Sequence, residues 1–144
     1  MADDVNAGNS GHKELSVTEN DVLWRRIPPY HVVFEENDNA YRVAKDSFND
    51  SPNGTPMSVF VASQCKNPRL ALEGHDDFGL VSLSVSFVIR ECHLQVEPAP
   101  KPGLPPGHAY VIGKKTDSVR KKLRRHCTWE IEPPDPVKDS ARRK

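Results

Sequence analysis

Few features of this chain announce a protein class, and each absence narrows the field. Its three cysteines, Cys65, Cys92 and Cys127, are odd in number and lack CxxC spacing. That excludes a disulfide-built scaffold and implies a reducing compartment. No window approaches the roughly 18 apolar residues that a spanning helix needs. The opening MADDVNAGNSGHKE has neither the basic nor the apolar region of a secretory signal. A cytoplasmic location with no membrane partner is therefore expected, and Asn53-Gly54-Thr55 is read as turn chemistry, not a glycan acceptor. Net charge is also missing, with 20 Lys and Arg against 20 Asp and Glu. The balance is local, however. Residues 1–22 carry five acids against Lys13, net −4, and residues 101–126 carry eight basic residues against Asp117, net +7.

What is present is one sustained apolar run, Gly79–Arg90, with the sequence GLVSLSVSFVIR. Val81, Leu83, Val85, Phe87 and Ile89 alternate against Ser82, Ser84, Ser86, Val88 and Arg90, the period of a half-buried strand, and a central strand is the first reading. The competing reading is a short strand, Leu80–Leu83, turning into a buried helix near Ser84–Cys92. Leu23, Arg25 and Ile27 alternate with Val22, Trp24 and Arg26 in a first strand closed by Pro28-Pro29. Further strands are predicted at Tyr30–Phe34, Met57–Ala62, Leu94–Val96, Ala109–Gly113 and around Trp129 and Ile131, and a short helix over Asn67–Glu73 with Pro68 in its first turn. Residues 49–56 form a dense turn sequence, residues 97–106 a proline-rich extended connector. The best helix signal is Ser118–Cys127, where Val119, Leu123 and Cys127 form the apolar stripe and Thr116 or Asp117 caps the start.

The expected architecture is a single α+β domain over residues 21–133. It consists of a small mixed or antiparallel sheet with the Ser118–Cys127 helix packed on it. A disordered acidic tail over 1–20 and a charged tail over 134–144 flank it.

No catalytic pattern passes its spacing test. Gly113-Lys114-Lys115-Thr116 follows a strand and precedes a helix, yet the glycine a phosphate loop needs five positions earlier is His108. What survives is an anion-attracting helix start beside Lys114 and Lys115. Glu73, His75, Asp76 and Asp77 match neither a calcium loop nor a helical HExxH, so no metal is expected. His108, presented by Pro105-Pro106-Gly107 just before a strand, is the histidine singled out as a candidate. Arg120, Lys121, Lys122, Arg124 and Arg125 give the main helix a basic face, which serves an acidic partner, or phosphates, or simply solvent.

Two resemblances add to this. Arg25 and Arg26 in LWRRI, Ser58 in SVFVAS and Glu73 in ALEG resemble the arginine, serine and glutamate layout of ADP-ribosyltransferase-like domains, including the small bacterial RES-type toxins. That likeness implies NAD consumption through Arg26, Ser58 and Glu73, although the family's glycine-rich Arg-Trp segment is absent. From about Asp21 to Trp129, the order of LWRRIPP, GLVSLSVSFVIRE, GHAYVIGKK and the basic helix resembles a group of small bacterial proteins of unassigned function, which implies a compact α+β domain and no activity. The expected function is a non-enzymatic interaction or accessory protein of a bacterial complex, without cofactor. Arg25, Arg26, His108, Lys114, Lys115, Arg120, Lys121 and Arg124 are the expected binding residues; an NAD-using enzyme and a nucleic-acid-binding protein are the alternatives.

Overall fold

A computed structural model describes residues 16–143. Its centre is a six-stranded sheet in which every pairing is antiparallel, in the order β6-β7-β4-β1-β5-β8. The strands are β1 (Val22–Ile27), β4 (Met57–Val61), β5 (Gly79–Ser84), β6 (Gln95–Pro98), β7 (His108–Ile112) and β8 (Thr128–Ile131); a separate hairpin pairs β2 (Val32–Glu35) with β3 (Ala40–Val43). Among the described residues five α-helices complete the fold: α1 (Ala62–Cys65), α2 (Pro68–Ala71), α3 (Val85–Arg90), α4 (Asp117–His126) and α5 (Asp135–Arg142). This is the α+β class expected, with the sheet wholly antiparallel.

The two faces of the sheet carry two cores, as a period-2 pattern requires. Leu23, Ile27, Met57, Val59, Val61, Val81, Leu83, Ala109 and Val111 point to the larger one, which Phe48, Val85, Val88 and Leu123 complete. Trp24, Phe60 and Leu80 point the other way and are covered by Cys65, Ala71 and Leu72 of the α1–α2 segment. Burying each large aliphatic side chain contributes about 1.5–3 kcal/mol. One residue breaks the pattern: Arg25 lies between Leu23 and Ile27 on the larger-core side.

The apolar run resolves into the second of its two readings. It is a strand only to Ser84, whose Oγ then accepts the Phe87 N–H at 3.3 Å and starts α3, with Val85 and Val88 buried. A serine at that point offers the freed amide a partner, and the strand alternation beyond it is broken by the cap. In α4 the expected cap is present, Thr116 Oγ1 accepting the Val119 N–H at 3.2 Å. Leu123 is wholly buried, and Val119 and Cys127 pack beside it. Helix α4 packs against the 3-10 turn Lys45–Ser47, to which it is tied by Arg120–Asp46 at 3.1 Å and by Lys45–Asp117.

The expected tails differ. Residues 1–15 lie outside the described residues. Ser16–Asn20 dock: Val17 packs on the larger core, Ser16 O accepts from Gln64 at 2.9 Å and Glu19 pairs with Arg90 at 2.6 Å. Residues 135–142 form α5, whose Val137 and Ala141 are buried beside β2. Spaced four apart, those two are enough to anchor a helix whose other residues, Pro136 apart, are charged or polar. Among the described residues no helix is long and apolar enough to cross a membrane.

Candidate functional site

The first grouping lies on the sheet face opposite the larger core. Strands β4 and β7 pair Phe60 with His108 and Ser58 with Tyr110, so His108 and Ser58 are diagonal neighbours within side-chain reach. His108 is almost fully buried. Its Nδ1 lies 2.6 Å from Ala99 O and its Nε2 3.2 Å from Ser58 Oγ. A carbonyl can only accept, so Nδ1 carries the proton of the neutral ring and Nε2 presents a lone pair to the Ser58 hydroxyl. Burial holds His108 below the ordinary histidine value; the bond to Ala99 opposes this, and the charges of Lys101 and Arg26 add to it. The ring is therefore neutral at pH 7.

The local backbone explains the placement. Gly107 precedes His108 with φ +89°, and a Cβ there would stand 2.8 Å from Val61 O. Only glycine allows this approach, which lets Val61 N donate to Gly107 O at 2.8 Å and sets the start of β7. Ala99 N donates to His108 O at 2.9 Å, so residues 99 and 108 close the proline-rich loop between them. That loop carries Lys101 and Leu104 to the rim of a cleft of about 230 Å³, which Arg25, Arg26, Ser58, Phe60 and His108 complete.

The two adjacent arginines have different tasks. Arg25 donates from Nε and Nη2 to Ser47 O, at 3.1 and 2.7 Å, and from Nη1 to Ser58 O at 2.7 Å. Its charge is spent on backbone carbonyls, and burial, opposed by Asp50 and Tyr30, lowers its pKa to about 10. Arg26 donates from Nε to Ala71 O at 2.6 Å and lies over the Phe60 ring at 4.8 Å; burial lowers its pKa too. Neither arginine holds a carboxylate among the described residues. Arg26 and Ser58 do share the cleft, but Glu73 is exposed and does not line it; His108 stands in the third place. Spacing alone had no means of finding Ser58 and His108 together, because they lie 50 residues apart.

The second grouping is the basic face. Lys115 does not belong to it: its Nζ is buried and donates to Asp50 Oδ1 at 2.7 Å, Val111 O at 2.9 Å and Gly113 O at 2.7 Å. An ammonium satisfied three times inside the fold cannot also attract an anion at the helix start. Lys114 is exposed. Arg120 pairs with Asp46 at 3.1 Å and Asp117 at 3.6 Å, and Lys121 with Asp117 at 3.1 Å. Hydrogen bonds from Lys45 first and Lys121 second hold the Asp117 carboxyl at a pKa of about 2. Arg124 and Arg125 form no ion pair among the described residues. Both line a second cleft of about 240 Å³ with Arg42, Glu35, Tyr41 and Trp129. Arg42 is held by Asp38 at 2.5 Å, and Trp129 Nε1 donates to Tyr41 O at 2.8 Å.

The cysteines are free, and burial raises all three thiols, Cys127 to about 11. Each is a protonated, unreactive thiol at neutral pH. Among the described residues no group of three or more His, Cys, Asp or Glu side chains is placed to hold a metal ion. No family model, curated protein or solved structure matches the chain.

Proposed function

We propose that this chain is an interaction protein that docks an acidic segment of a partner protein on the surface carried by α4. The observation that carries this reading is the arginine cleft. Arg124 and Arg125 are adjacent cations that form no ion pair among the described residues, and they border a concave, aromatic-walled space whose other charged residues are Glu35 and Arg42, the latter already held by Asp38. Neighbouring like charges repel, and a carboxylate entering the cleft offsets that repulsion through planar, two-point hydrogen bonding. Arg120 and Lys121, by contrast, are already neutralised by Asp46 and Asp117. The docking surface is therefore narrower than the basic helix face as a whole and is centred on its C-terminal turn.

The test uses purified protein and two labelled probes, an oligoglutamate peptide and a single-stranded oligonucleotide, followed by fluorescence anisotropy. The peptide is expected to bind. Changing Arg124 and Arg125 together to glutamate should weaken it by at least about tenfold, through loss of charge complementarity. Changing Arg120 to glutamate should matter far less. Equal binding by wild type and the double variant rules the reading out. Binding of the oligonucleotide alone, falling steeply between about 50 and about 200 mM salt, would transfer the surface to nucleic acid.

A further inference from the structure

We propose that Ser58 and His108 form a nucleophile and general-base pair that hydrolyses small esters bearing a negatively charged group. The site is independent of the arginine cleft, and its argument rests on four observations. Ser58 Oγ and His108 Nε2 are 3.2 Å apart, within the reach a proton transfer requires. Nδ1 is fixed by Ala99 O at 2.6 Å, so a backbone carbonyl does the orienting that a carboxylate does in a three-residue relay. Ser58 is itself held from behind, because its carbonyl accepts from Arg25 at 2.7 Å. Finally, the pair opens onto a cleft of about 230 Å³ with apolar walls, Phe60 and Leu104, and two cations, Arg26 and Lys101.

Each part has a chemical assignment. Ser58 Oγ attacks the ester carbonyl carbon, and its proton passes to His108 Nε2. Arg26, anchored through Nε to Ala71 O, and Lys101 on the loop supply positive charge for the oxyanion and for the anionic group of the substrate. The carbon–oxygen bond to the leaving alcohol then breaks, and that alcohol departs with the proton from His108. Water, deprotonated by His108, attacks the acyl-serine; Ser58 leaves and takes the proton back, releasing the carboxylic acid. The balance is ester plus water to acid plus alcohol, with no further reactant. The cleft lies below the roughly 300–1,000 Å³ usual for drug-sized ligands, which limits the acyl group to a few carbons.

The first experiment treats the purified chain with a fluorophosphonate probe, in which Ser58 Oγ would bond to phosphorus and fluoride would leave. Intact and peptide mass spectrometry should locate the adduct on Ser58. Ser58→Ala, a small change at a partly buried strand position, should abolish it. His108→Gln should slow labelling on the order of a hundredfold, the usual contribution of a positioned base. Turnover of p-nitrophenyl succinate should exceed that of p-nitrophenyl acetate, with Arg26→Gln removing the preference through KM. An adduct at another residue, labelling as fast in His108→Gln as in wild type, or hydrolysis equal in wild type and Ser58→Ala would each overturn the assignment. Circular dichroism of every variant confirms that a loss of labelling is not a loss of fold.

Discussion

At the scale of single residues, the most consequential side chains are cations that the fold has internalised. Lys115 and Arg25 both look from sequence like surface charges available to a ligand. Their heads instead satisfy backbone carbonyls at the ends of β7, β4 and the Lys45–Ser47 turn. Lys115→Met keeps the length but removes the ammonium donor from Val111 O and Gly113 O and leaves Asp50 Oδ1 with the Met57 N–H alone. The expected loss is about 2–3 kcal/mol in urea unfolding, less than for a fully enclosed ion pair because Asp50 keeps contact with water. A loss no larger than that of Lys114→Met would contradict the structural role. His108 was legible as a candidate because the PPGH turn places it at a strand start. Its hydroxyl partner was not, because a hydrogen bond across two strands leaves no trace in local spacing.

At the scale of elements, short-range chemistry decides where strands and helices begin and end. Ser84 and Thr116 accept amide hydrogens at the starts of α3 and α4, and Asn67 Oδ1 does the same for α2, accepting from Arg69 N at 2.9 Å. The Thr116 cap of α4 and the Pro68 start of α2 were readable beforehand, since cap and proline preferences are local. The end of β5 was readable only as one of two alternatives, since serines alternate equally well on a strand. Gly107→Ala should cost about 1–3 kcal/mol, from a positive φ together with the 2.8 Å approach to Val61 O. The same substitution should also reduce fluorophosphonate labelling, because β7 carries His108. Leu123→Ala, removing the wholly buried residue of α4, should cost about 2–5 kcal/mol. Thermal or urea unfolding of both variants checks these values.

For the whole molecule, pH offers the broadest test. His31, His75, His108 and His126 are all held below their ordinary value of 6.5, mainly by burial. His126 Nε2 accepts the Ser84 N–H at 3.0 Å and its ring stacks on Phe87 at 3.9 Å, so protonation would remove the acceptor that joins α4 to β5. A depressed histidine pKa means that the unfolded chain takes up protons first as pH falls. Stability is then complete above pH 6.5 and declines as pH drops below 6.5 toward the depressed folded values. The unfolding midpoint should therefore fall between about pH 7.5 and about pH 5.5, by about 2–4 °C for each kcal/mol lost. A midpoint that is flat or rises over that range would show that these rings are not held neutral by the fold.

The sequence by itself determined the α+β class, most strand positions, the cap and stripe of α4, and the unequal distribution of charge. Each of these depends on residues only a few positions apart, where side-chain period and backbone preference act directly. Tertiary structure alone decided which charges are free. Lys115, Arg120 and Lys121 are consumed by Asp50, Asp46 and Asp117, whereas Arg124 and Arg125 are left facing a cleft. It also decided that Val137 and Ala141 anchor a terminal helix and that Ser58 meets His108. Most of those partners lie far apart in sequence, and their meeting depends on sheet order and register. A one-residue slip between β4 and β7 would send Ser58 and His108 to opposite faces.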